Sequence, residues 1–475
     1  MTTTLNINGV NGATGGYLLP EMSVAEISRI ARGEEFDKDH LNELKHRYGI
    51  AGKDHLGVME GVDPRDLAQS GWGVIFAHQD GDKIDAWKEA LQPLLNLRRN
   101  QAGDLYKEYV GPDAYRPHEK KQRFLARHGM APGPPNPRKV PYYLLIVASP
   151  ESMPFRFQYQ LDVQYAVGRI CFESLEEYAD YARSVVRSEQ GGYARPAKAG
   201  FFGVCNPADP ATQLSAMKLV QPLARWMDGD QPAWTVETLL ADEATKANLG
   251  KLIRDENGPA FLLTASHGMG FPRDDPRQLP HQGALLCQDW PGPRRWGEQP
   301  IPADHYFSAD DVGADARPGG MLNFHFACYG AGTPQFDDFA HRTFRERVDI
   351  APHAFIARLP QRLLGHPNGG ALAVIGHVER AWGYSFWGGR AGAQLTVFQA
   401  TLKRLAEGHP VGSAMEYFNE RYAELSAILT DELEDIKFGV EPNDEELAGL
   451  WTANNDARSY IIVGDPAVRL NPRTA

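Results

Sequence analysis

Ala260-Phe-Leu-Leu-Thr-Ala-Ser-His-Gly268 is an apolar run of strand length that stops at one reactive side chain, His267, and then a glycine. A second stretch, Met321-Leu-Asn-Phe-His-Phe-Ala-Cys-Tyr-Gly330, is built the same way around Cys328. In open α/β sheets, reactive groups collect where the carboxyl ends of strands meet loops. A glycine there lets the backbone turn sharply or approach a substrate. If the two strands end side by side, a thiol and an imidazole meet. The imidazole then activates the thiol and passes the proton to a leaving group. Backbone N–H groups at Gly268 and Cys328 are the candidate oxyanion donors.

Working outward, apolar strand-like runs alternate with helical patterns. Gly73–Ala77, Tyr142–Ala148, Gly200–Cys205, Trp234–Leu240 and Gly370–Gly376 read as strands. Val24–Arg32, Asp37–Tyr48, Lys83–Arg99, Leu175–Ser188, Ala211–Met227 and Glu243–Asp255 read as helices. The alternation predicts an α/β fold, a mostly parallel sheet covered by helices on both faces. Composition shifts divide the chain into an N-terminal extension (1–70), a first α/β subdomain (71–197), a second carrying both reactive strands (198–410), and C-terminal helices with a final strand (411–475). The stretch from Met269 to Gly320, rich in Pro, Gly, Asp and Arg, is too long for an ordinary connection. It reads as a hairpin-bearing lid, a self-cleavage loop through Arg294, Arg295 or Arg317, or a passive insertion.

The 475 residues are enough for more than one domain, and 42% hydrophobic with 23% charged is ordinary for a globular chain. No apolar run nears the roughly 20 residues that cross a bilayer, and Met1–Pro20 is not of signal-peptide type. The expectation is a cytoplasmic protein without a membrane partner. A net charge of −12 with no dense basic run argues against nucleic acid. Cys171, Cys205, Cys287 and Cys328 are too few for a disulfide framework and form no C-x-x-C pair. The first three read as inert core thiols, and His325, His366 and His377 as structural histidines.

The two strand ends, one closing in His-Gly and the next in Ala-Cys, resemble the caspase-like clan of cysteine peptidases. Phe326 and Tyr329 around the cysteine depart from the caspase consensus, and the His–Cys spacing is longer. Leu144-Leu-Ile-Val-Ala-Ser-Pro-Glu-Ser-Met-Pro154, Asp162-Val-Gln-Tyr165, Gly168-Arg-Ile170 and Gly464-Asp-Pro-Ala-Val-Arg-Leu470 resemble the gingipain branch. That branch places a catalytically silent subdomain before the catalytic one. The resemblance implies a caspase-like fold and a cysteine endopeptidase, with Cys328 as nucleophile and His267 as its acid–base partner. It implies cleavage after Arg or Lys, read by a carboxylate at Asp162. Asp209 is the competing pocket acid, with a helix cap as its plainer role. No cofactor is required, although the clan allows a structural or activating calcium. The implied partner is a protein or peptide substrate, such as one dedicated signalling or immune protein. A caspase-fold scaffold and a Cys–His acyl transferase are the rival readings.

Overall fold

The computed structural model describes residues 7–19, 22–33, 58–131, 133–337, 348–388 and 392–473. Its strands, in chain order, are β1 (Gly9–Asn11), β2 (Trp72–Phe76), β3 (Tyr106–Tyr109), β4 (Tyr143–Val147), β5 (Ala166–Ile170), β6 (Lys198–Gly203), β7 (Thr235–Leu240) and β8 (Phe261–Ala265). There follow β9 (Gly268–Gly270), β10 (Leu285–Leu286), β11 (Tyr306–Phe307), β12 (Leu322–Phe326), β13 (Gly332–Thr333), β14 (Phe355–Ile356), β15 (Ala373–His377) and β16 (Tyr460–Gly464).

Among the described residues, ten of these form one sheet in the order β3-β2-β4-β5-β16-β15-β12-β8-β6-β7. Every neighbouring pair is parallel except β15–β16. The sheet is thus two parallel halves that run in opposite directions and meet at that junction. The two predicted α/β regions share this one continuous sheet, and the C-terminal strand β16 is the seam between them.

Alternation along β2 and β4 shows why the central strands read as unbroken apolar runs. Trp72, Val74 and Phe76, with Tyr143, Leu145 and Val147, enter one core. Ile75, Leu144 and Ile146 enter the other. Successive side chains point to opposite faces, so a strand covered on both sides must be apolar throughout. The predicted α/β sandwich is the arrangement found.

Two predicted helices are divided, and proline is the reason in each. Lys83–Arg99 is two helices, Lys83–Ala90 and Gln92–Ala102, because Pro93 has no N–H to bond back into the preceding turn. Ala211–Met227 begins at Pro210, widens into a π turn over Ala216–Val220 just before Pro222, and runs on to Asp230. The late strand is Tyr460–Gly464, ending on the glycine of Gly-Asp-Pro rather than running through it. Helix Val24–Ala31 lies where the periodicity put it, whereas Asp37–Tyr48 falls outside the described residues.

Candidate active site

β8 and β12 pair in parallel with Ala265 opposite Phe326. His267 and Cys328 each lie two residues past that last rung, at the same lip of the sheet. The register of two apolar strands therefore brings both residues to the same end of the sheet. Beyond Cys328 the chain reverses through Tyr329, whose φ of 58° is left-handed. That conformation costs a non-glycine residue about 1–2 kcal/mol. It is held by Tyr329 N–H donating to the Glu379 carbonyl and by Ala331 N–H donating to that of His377. Gly268 has no freedom to be anything larger, because a Cβ there would collide with the Cys328 carbonyl.

His267 and Cys328 are both fully buried. His267 Nε2 is 2.6 Å from Asp209 Oδ2, while Nδ1 has no hydrogen-bond partner among the described residues. The ring lies between Tyr17 (centroids 5.7 Å apart) and Trp290 (6.2 Å). Asp209 also accepts from the hydroxyls of Thr212 (2.8 Å) and Tyr17 (2.9 Å). Burial pushes the Asp209 carboxyl up, but the His267 charge and these hydrogen bonds outweigh it and hold the group below its usual range. Asp209 does occupy the cap position before Pro210–Ser215, yet makes no side-chain capping bond. Its carboxylate is spent on the histidine instead.

The thiol is sealed. Burial pushes Cys328 up to about 12, against the opposing pull of the Ala381 N–H, which donates to Sγ at 3.2 Å, and of Arg380. Arg380 is itself held by a two-pronged pair with Asp337 at 2.7 and 2.9 Å. What covers the sulfur is the N-terminal segment. A Cβ built on Gly9 would stand 2.7 Å from Cys328 Sγ. β1 adds in parallel to β9, with Gly9 opposite Gly268. The chain then turns back, so that Val10 bridges Tyr17 and Leu18 N–H donates to the Gly9 carbonyl.

The Asn8 carbonyl accepts from two backbone donors, Gly268 N–H at 2.8 Å and Cys328 N–H at 3.0 Å. These are the two amides that the sequence singled out as oxyanion donors. Asn8 N–H donates to the Ala381 carbonyl, and Ile7 bridges Trp382 in antiparallel fashion. Sequence reasoning took residues 1–70 as a polar extension and missed Asn8, Gly9 and Tyr17. The available signal was the pair of Asn-Gly steps at 8–9 and 11–12 beside two apolar residues, Ile7 and Val10.

Asp162 is not brought to this lip. It ends helix Phe155–Asp162 ahead of β5, and β16 and β15 separate β5 from β12. Its neighbours are Val167, Arg169 and Lys121, and burial holds its carboxyl well above the usual range. Within the long Met269–Gly320 segment, β10 pairs with β11 and β9, and Met269, Leu286, Trp290 and Ile301 pack with Val10. Arg294 and Arg295 sit in a helical turn, Pro293–Trp296. Arg317 is tied down on both sides of its peptide, its N–H to Ile253 and its carbonyl to Arg195. His377, expected to be structural, is buried against Asp456 at 3.0 Å. Among the described residues, no group of three or more His, Cys, Asp or Glu side chains converges as a metal site, and no helix is long and apolar enough to cross a membrane.

The class that emerges is an α/β fold with a mostly parallel central sheet, in which a histidine and a cysteine follow the ends of adjacent parallel strands. Among solved structures, the chain is similar to one described as a protease (13% identity, 86% of this chain and 80% of that one, TM-score 0.47). It is also similar to the Arg-specific cysteine proteinase gingipain R (14% identity, 85% and 79%, TM-score 0.43). Separase in the Saccharomyces cerevisiae separase–securin complex is 9% identical over 69% of this chain and 15% of that one, with a TM-score of 0.31. No family model and no curated protein matches the chain.

Proposed function

We propose that this chain is a cysteine endopeptidase that works through an acyl-enzyme on Cys328. One observation carries the reading: Gly268 N–H and Cys328 N–H converge on a single peptide carbonyl, Asn8, directly over the thiol. Two amide donors fixed by sheet register are the arrangement that stabilises a tetrahedral oxyanion, a contribution of about 3–4 kcal/mol in acyl transfer. Cys328 Sγ attacks the carbonyl and His267 carries the proton from thiol to leaving amine, with Nδ1 as the nitrogen free to do so. Asp209 fixes the imidazole by accepting from Nε2, which leaves Nδ1 as the unprotonated nitrogen for the thiol proton. The intended target is a protein or peptide chain laid across the lip as an extended strand.

Which side chain precedes the cut is a separate matter. The resemblance implies Arg or Lys read by Asp162, but that carboxylate keeps company with Arg169 and Lys121. Asp209 has its oxygens engaged by His267, Thr212 and Tyr17. The cleft itself favours a neutral side chain.

Labelling with a panel of peptidyl acyloxymethylketones, differing in the residue before the warhead, tests the dyad. Wild type should be modified at Cys328 by at least one probe, and Cys328→Ala by none. His267→Ala should lower the labelling rate by about 10²-fold or more. Modification of Cys328→Ala at an equal rate would end the reading.

A further inference from the structure

The N-terminal segment lies in the cleft as a substrate lies, and we propose that the enzyme's first substrate is its own Asn8–Gly9 bond, which marks the S1 subsite as one for asparagine. The inference rests on the cysteine endopeptidase reading above and adds to it a bond and a side chain.

Contacts on both sides of one bond define the pose. The Asn8 carbonyl sits between the two oxyanion donors, and Asn8 N–H donates to Ala381 at 2.9 Å. Ile7 bridges Trp382, extending the strand on the acyl side. On the leaving side, β1 runs along β9, and Gly12 N–H donates to Gly270 at 2.7 Å. The bond between these two halves is Asn8–Gly9. A side chain at position 9 would run into Cys328 Sγ and Leu18, so only glycine allows this closeness.

Asn8 is 1% exposed. Its Nδ2 donates to Ser215 Oγ at 3.2 Å and to the Ser266 carbonyl at 3.3 Å. Both partners accept here, so they suit the amide NH2, while Oδ1 has no partner among the described residues, and an aspartate carboxylate would face a carbonyl oxygen instead. A guanidinium is longer and carries a charge that neither Ser215 nor Ser266 neutralises, and burying it unpaired is expensive. A site that hydrogen-bonds a buried polar group rejects an analogue lacking it, because its own polar atoms are then left unpaired.

The step balances within the chain and water. Cys328 Sγ bonds to the Asn8 carbonyl carbon as the thiol proton passes to His267. Collapse of the oxyanion breaks the Asn8–Gly9 C–N bond, and the proton goes to the Gly9 nitrogen. Water then adds to the thioester, releasing residues 1–8 with a new carboxylate and restoring the thiol.

The test is intact-mass measurement and N-terminal sequencing of the full chain after incubation, in wild type, Cys328→Ala, Asn8→Ala and Asn8→Arg. Two fluorogenic peptides, with Asn or Arg before the reporter, are assayed in parallel. Wild type should lose residues 1–8 and begin at Gly9, and Cys328→Ala should stay whole. Both Asn8 variants should be cut at least about tenfold more slowly, and the Asn peptide should be preferred by at least about tenfold. Faster cleavage of Asn8→Arg, or preference for the Arg peptide, overturns the inference and leaves the endopeptidase reading standing. So does an uncut wild-type N-terminus in a preparation that hydrolyses either peptide. Absence of every cut, with neither peptide hydrolysed, brings down both.

Discussion

Asp209 accepts from three side chains at once, and each comes from a different part of the chain: Tyr17, Thr212 and His267. Asp209→Asn tests what that focus does. Tyr17 keeps the amide oxygen on its own side, which turns the amide NH2 toward His267 Nε2. The imidazole must then carry its proton on Nδ1, the nitrogen that should receive one from the thiol. We expect kcat for peptide hydrolysis to fall about 10²-fold or more while KM changes little, since Asp209 touches no substrate atom. An equal fall in both the peptide and the thiol-alkylation reactions at high pH, where the thiol ionises unaided, would point to a merely structural role.

At the scale of elements, the N-terminal segment is held in place by helix Val24–Ala31. Ile27, Ile30 and Ile7 pack with Trp382, Leu429, Leu447 and Trp451, so the strap is anchored on the two C-terminal helices, Glu416–Lys437 and Asp444–Arg458. Ser28 and Arg32 both reach Asp444 at 2.5 Å. Ile27 is fully buried, and Ile27→Asp places a bare charge in that contact. The strap should release, and iodoacetamide should alkylate Cys328 at least about tenfold faster than in wild type. An unchanged rate would mean that the hairpin around Gly9 needs no anchor.

The elements also show what the sequence could reveal. β8 and β12 were legible because strands buried on both faces must be apolar from end to end, and their shared ending in a reactive residue plus glycine located the lip. β1 was not legible, since three residues, Gly-Val-Asn, carry no periodicity and pair only across a long stretch of chain. Asp209 was visible as an acid near a strand end, but nothing local says that its carboxylate turns away from its own helix to a histidine two strands on. Asp162 carried a role by resemblance alone, and the seam at β16 places it elsewhere.

For the whole molecule, that seam is the feature on which the two halves depend. Asp465, just past β16, accepts from Arg98 Nε at 2.7 Å and Trp72 Nε1 at 2.9 Å, both belonging to the first half. Arg98 and Asp465 are buried almost completely. Removing one partner of such a pair strands a charge in the interior, which costs about 3–5 kcal/mol. Asp465→Ala should therefore lower the urea midpoint by the equivalent of about that free energy. A loss below about 1 kcal/mol would show that Glu189, which also meets Arg98, suffices to hold the junction.

Because the Asn8–Gly9 bond is carried to the sulfur by the same polypeptide, no encounter between molecules precedes its scission. A reacting group tethered in position behaves as if present at very high local concentration. Maturation should then follow first-order kinetics, with a half-time that stays constant as the sample is diluted a hundredfold.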